Sequence, residues 1–117
     1  MIFIVDDDEI MAESMGRSLE IREFKIFPNA IETMSYISEG NVPDLIFLDI
    51  LLDGPDGFTF LNELVSYTDT AKIPIVVVSS LDFSGKDLSE YGVVGFLNKE
   101  TMRPEDIKEY AEQYDGK

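Results

Sequence analysis

Four short hydrophobic runs, each followed directly by polar residues, constrain the fold of this chain more than any other feature. The runs are rich in β-branched and aromatic residues and are separated by helix-length segments, which is typical of buried parallel strands. In an open α/β sheet, ligands bind beyond the carboxyl ends of the strands, so the polar residues are expected to meet at one edge. The runs and their polar ends are Ile2–Val5 before Asp6-Asp7-Asp8, Leu45–Leu48 before Asp49, Ile75–Val78 before Ser79-Ser80, and Val93–Leu97 before Asn98-Lys99.

The segments between these runs have the apolar spacing of helices, which gives five βα units in succession. A capping box of Asn29 and Glu32 begins the second predicted helix, and Gly40 ends it. The inward apolar face of this helix is expected to comprise Ile31, Met34 and Ile37. We predict strands at residues 2–6, 24–27, 45–49, 75–79 and 93–97, and helices at 9–20, between Asn29 and Gly40, and at 58–67, 82–91 and 104–114.

This order of elements predicts an α/β fold, namely a doubly wound, five-stranded parallel sheet with helices on both faces. A length of 117 residues suits a single domain over residues 1–117. Met1 stands directly before the first strand, so we expect the beginning of the chain to be natural.

The strong negative charge of the chain limits the classes of molecule that it is expected to bind. With 24 acidic and 9 basic residues, the net charge is −15. Such a surface is repelled by phosphate backbones, so direct nucleic-acid binding is not expected and basic protein partners are favoured. Much of this charge also serves solubility.

Absent residue types exclude several kinds of chemistry. The chain has no histidine, so it supplies no phosphohistidine, histidine base or histidine metal ligand. It has no cysteine, which excludes disulfides and thiolate metal sites and fits the cytoplasm. No apolar stretch is long enough to span a bilayer, and no signal peptide or membrane insertion is expected.

Three aspartates are expected to lie together at the ends of adjacent strands. Without a counterion, Asp6, Asp7 and Asp49 would repel one another and their pKa values would rise. A divalent cation removes this repulsion, and oxygen-only ligation suits Mg²⁺ or Mn²⁺. A carboxylate nucleophile, the Lys99 ammonium and the Ser79 hydroxyl would complete a site for phosphoryl transfer.

Each of these residues has a simpler explanation when it is considered alone. An aspartate after a strand is commonly a turn or capping residue, a lysine is commonly solvated, and a serine can simply end a strand. The agreement of all four strand ends in order and chemistry favours the phosphoryl site.

The chain resembles the receiver domain of bacterial two-component response regulators over essentially its whole length. The motifs that carry the resemblance are specific as a set, although each is weak alone. They are Ile4-Val5-Asp6-Asp7-Asp8, Pro43-Asp44-Leu45-Ile46-Phe47-Leu48-Asp49-Ile50, Asp56-Gly57-Phe58, Ile73-Pro74-Ile75-Val76-Val77-Val78-Ser79 and Phe96-Leu97-Asn98-Lys99.

The resemblance implies a strand order of 2-1-3-4-5 and a role for each site residue. It implies that Asp49 is the phosphoacceptor, supplied by a sensor histidine kinase or histidine phosphotransfer protein, and that a downstream protein or output domain responds. The implied metal ligands are Asp6, Asp7, Asp49 and the backbone carbonyl of Leu51. The implied switch residues are Ser79 and Phe96, and Lys99 contacts the phosphoryl group.

The chain also departs from the pattern of this family. Glu100 follows the lysine where the family has a cis proline, so we expect a trans bond and a shifted final loop. Asp53 stands where a proline is common, and the segment from Ser79 to Lys99 is short, which predicts a truncated fourth helix. Leu51 and Leu81 resemble positions that control water access to the phosphoryl group, so we expect slow self-dephosphorylation.

Two alternatives stay open at this point. The first is a receiver-like docking module that is not phosphorylated. The second is a phosphatase with an aspartyl nucleophile, which would carry a second acid where this chain has Leu51, and a cap domain as well. A receiver would catalyse only its own phosphorylation and dephosphorylation, and would not be a turnover enzyme.

Overall fold

The computed structural model describes residues 1–20, 22–50, 57–80 and 88–114. The described strands are β1 (Ile2–Val5), β2 (Phe24–Phe27), β3 (Leu45–Asp49), β4 (Ile75–Ser79) and β5 (Val93–Asn98). The described helices are α1 (Glu9–Ser18), α2 (Ala30–Ser38), α3 (Gly57–Val65) and α4 (Pro104–Tyr114), with one 3₁₀ turn at Ser89–Tyr91.

The five strands form one parallel sheet in the order β2-β1-β3-β4-β5. This confirms both the predicted α/β fold class and the strand order that the family resemblance implied. The central strands β1, β3 and β4 are buried along their whole length, as the continuous apolar runs predicted.

Alternate residues of the strands build two separate cores, because successive side chains point to opposite faces of the sheet. On one face, Phe3 and Val5 of β1 belong to a cluster with α2 and α3. On the other face, Ile2 and Ile4 belong to a cluster with α1 and α4. The helices therefore cover both faces of the sheet. None of them, among the residues described, has the length and apolarity needed to cross a membrane.

The capping box predicted for α2 is confirmed. The backbone N–H of Glu32 donates to Asn29 Oδ1 at 2.8 Å, and Asn29 Nδ2 donates to the Glu32 carboxylate at 3.1 Å. Gly40 follows the helix with a positive φ of 100°. The predicted inward position of Ile31 is wrong, because the buried stripe consists of Ala30, Thr33 and Ile37 and leaves Ile31 exposed.

Several predicted element ends are wrong by one or two residues. Helix α1 ends at Ser18, because Leu19 is the C-cap residue and Glu20 has a positive φ of 58°. The Glu20 carboxylate forms an ion pair with Lys108 at 2.9 Å. Helix α3 is shifted toward Gly57, strand β1 ends at Val5, and β5 extends to Asn98.

Part of the predicted fourth helix and of the loop after β3 lies outside the described residues. Within the segment predicted to be helical at 82–91, residues 82–87 are not described, and Ser89–Tyr91 form a single 3₁₀ turn. Gly92 ends this turn with a φ of 81°. Asp53 and Leu81 also lie outside the described residues.

Gly57 brings the start of α3 against the end of β3. Its N–H donates to the Ile50 carbonyl at 2.9 Å. A Cβ at this position would lie 2.5 Å from Ile50 Cα, a backbone atom. The contact leaves no space for a side chain beside the residue that follows Asp49.

We expect Gly57→Ala to lower the free energy of unfolding by about 2 kcal/mol, because backbone must shift to admit the methyl group. Equilibrium urea unfolding measures this loss. Gly16→Ala is the matched control, since its Cβ would lie 2.5 Å from the ring of Phe24, which is partly exposed and can turn aside. Equal losses in the two variants would contradict the explanation.

Candidate functional site

The register of β1 and β3 brings two aspartates out of the sheet side by side. Val5 pairs with Leu48, so the next residues, Asp6 and Asp49, leave the strands together. The side chains of Asp6 and Asp49 are buried, whereas Asp7 is exposed. One carboxylate oxygen from each of the three aspartates lies within 4.8 Å of the others. The predicted convergence of Asp6, Asp7 and Asp49 is therefore present in the folded chain.

Lys99 reaches this acidic cluster from the end of β5. Its Nζ donates to Asp49 Oδ2 at 3.1 Å and lies 3.2 Å from Asp6 Oδ2. Its backbone N–H donates to the Ser79 carbonyl at 3.0 Å, which fixes the lysine relative to the end of β4. The peptide bond between Lys99 and Glu100 is trans, as expected for a chain without proline here.

Burial raises the pKa of Asp6 to about 6, although a hydrogen bond from the Asp8 N–H and the charge of Lys99 act in the opposite direction. The negative charge of Asp49 adds to the increase. Between pH 3.8 and about 6, the unfolded chain releases this proton while the folded chain retains it. The stability that the protonated carboxyl contributes is therefore lost as the pH rises through this interval.

The pKa of Lys99 is raised, so its side chain stays a charged ammonium. Burial lowers it, but the hydrogen bond to Asp49 and the charges of Asp6 and Asp49 outweigh burial and raise it above 10.5. One ammonium thus faces three carboxylates, and the cluster retains an excess of negative charge.

The donor set fits a hard divalent cation. Asp6 Oδ2 is buried and accepts no hydrogen bond from the described residues, although Lys99 Nζ is only 3.2 Å away. A buried carboxylate oxygen without a hydrogen bond is unfavourable, and a cation would satisfy it. Asp6, Asp7 and Asp49 are the residues that could hold such an ion.

The other predicted site residues are Ser79, Phe96 and Leu51, and the structure describes the first two of them. Ser79 is buried at the end of β4, one residue beyond the partner of Asp49 in the sheet. Phe96 is half-buried and packs against the core on the α2 and α3 side. Leu51, the expected carbonyl ligand, lies outside the described residues.

Two supporting residues were not assigned a role from the sequence. Asp8 caps α1 by accepting the Met11 N–H at 3.1 Å, while its own N–H donates to Asp6 Oδ1 at 2.9 Å. Asn98 Oδ1 accepts the Glu100 N–H at 2.8 Å and so shapes the turn that carries Lys99. An Asp before a helix and an Asn at a strand end are the signals that could have indicated these roles.

Comparison with protein families identifies one match over nearly the whole chain. A family model described as "Response regulator receiver domain" matches residues 2–112. The response regulator PleD of Caulobacter vibrioides (strain NA1000 / CB15N) is 30% identical over 102 residues, which is 84% of this chain and 22% of PleD.

A second curated relative is protein-glutamate methylesterase/protein-glutamine glutaminase 2 of Shewanella sp. (strain MR-7). It is 31% identical over 121 residues, which is 95% of this chain and 33% of that protein. The chain thus spans between a fifth and a third of the length of these two relatives. A crystal structure of a putative response regulator from Chloroflexus aurantiacus superimposes with a TM-score of 0.84 at 28% identity, covering 96% of this chain and 93% of that one.

We expect Asp6→Asn to raise the free energy of unfolding of the metal-free protein by about 2 kcal/mol at pH 7.5, because a buried charge with a raised pKa is removed. The gain should be smaller at pH 5, where folded Asp6 is largely protonated. Urea unfolding in chelator at both pH values measures the difference. Glu13→Gln, which removes one exposed charge from α1, should show no comparable gain. A destabilised Asp6→Asn at pH 7.5 would contradict the cost that we assign to this buried charge.

Proposed function

Because the chain belongs to the response regulator receiver domain family, we propose that it is a phosphorylation-controlled signalling switch with Asp49 as the phosphoacceptor. The observation that carries the proposal is the position of Lys99 Nζ, 3.1 Å from a buried Asp49 that shares a cluster with two further carboxylates. An ammonium and an acidic cation site beside one carboxylate are what phosphoryl transfer to that carboxylate requires.

The nucleophile in this reaction is an oxygen of the Asp49 carboxylate. It attacks the phosphorus of a partner's phosphohistidine, the P–N bond breaks, and the electron pair leaves with the partner's imidazole. The product is an acyl phosphate on Asp49. Lys99, which is already hydrogen-bonded to Asp49, offers its charge to the incoming phosphoryl oxygens.

Mg²⁺ or Mn²⁺ is the cation that we propose for the acidic cluster. When bound, it neutralises negative charge on the phosphoryl oxygens. Asp6, Asp7 and Asp49 would hold it through carboxylate oxygens, and the backbone carbonyl of Leu51 is proposed as a further ligand. Three carboxylates against the single ammonium of Lys99, with no hydrogen bond to the buried Asp6 Oδ2 among the described residues, support a cation at this position.

Ser79 and Phe96 are proposed to convert phosphorylation into a change of surface. The Ser79 hydroxyl moves toward the phosphoryl oxygens, and the space that it leaves allows Phe96 to rotate inward. The half-buried position of Phe96 beside the core supports this motion, because the ring has both an exposed and a buried environment nearby. A local charge thereby biases an element with two arrangements.

The partners follow from the chemistry of the chain. It contains no histidine, so the phosphohistidine must lie outside this sequence, and we propose that a sensor histidine kinase or a histidine phosphotransfer protein in the cytoplasm supplies it. A downstream protein or output domain would recognise the altered surface. We propose that residues 1–117 form one receiver domain and do not bind nucleic acid directly.

Treatment with Mg²⁺ and a small phosphodonor should add one phosphoryl group to the wild-type chain and none to Asp49→Asn. Intact-mass spectrometry measures the gain, and chelation of Mg²⁺ should abolish it. Asp44→Asn is the matched control, since Asp44 is an exposed aspartate paired with the N-terminal amine and should leave phosphorylation unchanged. An unmodified wild-type chain would refute the switch and favour the docking module, whereas continuous turnover of a phosphomonoester would favour the phosphatase.

We further expect the acyl phosphate to be long-lived, because Leu51 and Leu81 resemble family positions that influence the access of water to the phosphoryl group. Replacing Leu51 and Leu81 together with asparagine and glutamine should shorten the lifetime severalfold. The decay of radiolabelled phosphoprotein measures the rate. An unchanged or longer lifetime in the double variant would count against this role.

A further inference from the structure

Exposed apolar side chains of the described residues concentrate at one groove beside α2. Ile31 is 64% exposed, Tyr67 60% and Val42 48%, and all three line a groove of about 550 Å³. Single exposed apolar residues are common on soluble proteins, but a contiguous group of large ones marks an interaction surface. We name this surface the α2–α3 groove.

The α2–α3 groove continues along α2 into a second depression of about 190 Å³. Ile31 and Met34 line both parts, and the second part adds Phe60 and Glu63 of α3. The apolar strip therefore follows α2, whose 9 residues span about 13 Å at a rise of ~1.5 Å per residue. This length matches two to three turns of a docked helix.

The walls of the groove are held in place by hydrogen bonds. The Thr70 hydroxyl donates to the Leu64 carbonyl, and the Ala71 N–H donates to the Tyr67 carbonyl at 2.9 Å. On the other side, Asn41 Nδ2 donates to the Tyr36 carbonyl at 3.0 Å and fixes the chain just before Val42. The groove is thus formed before any partner arrives, which reduces the entropy lost on binding.

The charge of the groove indicates what kind of partner it accepts. Asp69 lines the first part and Glu63 the second, whereas no lysine or arginine among the described residues lines either part. Lys72, in the turn after α3, lines neither. A second copy of this chain would bring another net charge of −15 to the same surface, so electrostatic complementarity favours a basic partner.

The first part of the α2–α3 groove extends toward the sheet edge opposite the acidic cluster, whereas the second part reaches the first turns of α2 and α3. In a βα unit the helix runs antiparallel to its strands, so the last turns of α2 and α3 lie near the sheet edge opposite Asp49. A partner helix seated over these last turns would therefore leave Asp49 and Lys99 accessible. The inference does not depend on the proposed phosphorylation.

We propose that the α2–α3 groove binds an amphipathic helix of a protein partner. The helix presents apolar side chains at i, i+3 or i+4, and i+7 to Ile31, Val42 and Tyr67, and carries lysine or arginine on its flanks. Helix-in-groove recognition of this kind derives affinity from the apolar face and selectivity from the flanking charges.

Two synthetic stapled helical peptides test the proposal. They share the same leucine spacing and differ only in their flanks, which carry lysine in one and glutamate in the other. Each is titrated into the full ¹⁵N-labelled chain. We expect the lysine peptide to shift backbone amide signals within residues 31–42 and 67–70, and to bind at least about tenfold more tightly than the glutamate peptide. Added salt should reduce this difference.

Variants locate the binding surface. Ile31→Ser combined with Tyr67→Ser should weaken binding of the lysine peptide by at least about fivefold. Ile10→Ser is the matched control, because Ile10 is 79% exposed on α1, outside the groove. Asp49→Asn should bind the peptide as the wild type does.

Several outcomes would overturn the proposal. These are equal binding of the two peptides, signal shifts confined to other surfaces, and unchanged binding by the double variant. Groove signals that shift on dilution of the protein alone would instead identify a second copy as the occupant. The signal map on the wild-type chain decides the matter even if the double variant fails to fold.

Discussion

The three central strands of the sheet are buried on both faces, and the rest of the structure depends on this constraint. A strand with helices on both sides has no solvated face, so its polar residues can only stand beyond its ends. In a parallel sheet those ends share one edge, which is why Asp6, Asp49 and Lys99 meet although 93 residues separate the first from the last. Helix packing and site chemistry are thus two consequences of the same apolar runs.

In the metal-free chain the site holds a buried carboxylate beside two others, which is electrostatically unfavourable. Lys99 is hydrogen-bonded to Asp49 and lies beside Asp6, yet burial still raises the pKa of Asp6 to about 6. A cluster optimised for stability alone would not retain a buried carboxylate oxygen without a hydrogen bond. The cation and the phosphoryl group that we propose for this site would redistribute the negative charge of the three carboxylates.

The two functional surfaces that we propose differ in polarity and in the elements that form them. The acidic cluster is small, polar and held by strand ends, whereas the α2–α3 groove is apolar and formed by the outer side of a helix pair. Ile31 illustrates the difference: an inward position would have made it core, but its exposure makes it part of a binding surface. Because the groove extends from the first turns of α2 and α3 toward the sheet edge opposite Asp49, a basic helix seated over the last turns would leave room for a phosphodonor.

Reading the sequence alone was enough to predict the parallel α/β architecture, the bounds of β2, β3 and β4, the capping box of α2 and the set of residues that gather at the strand ends. These follow from local patterns, namely apolar runs, capping chemistry and the topology of βα units. Tertiary packing, by contrast, determines the surroundings of the end of α1, where Glu20 has a φ of 58° and its carboxylate lies 2.9 Å from Lys108 of α4. It likewise decided that the buried stripe of α2 passes through Thr33 and that Asp6 has a raised pKa. Burial, distance and angle between remote residues are set by packing, and no local pattern encodes them.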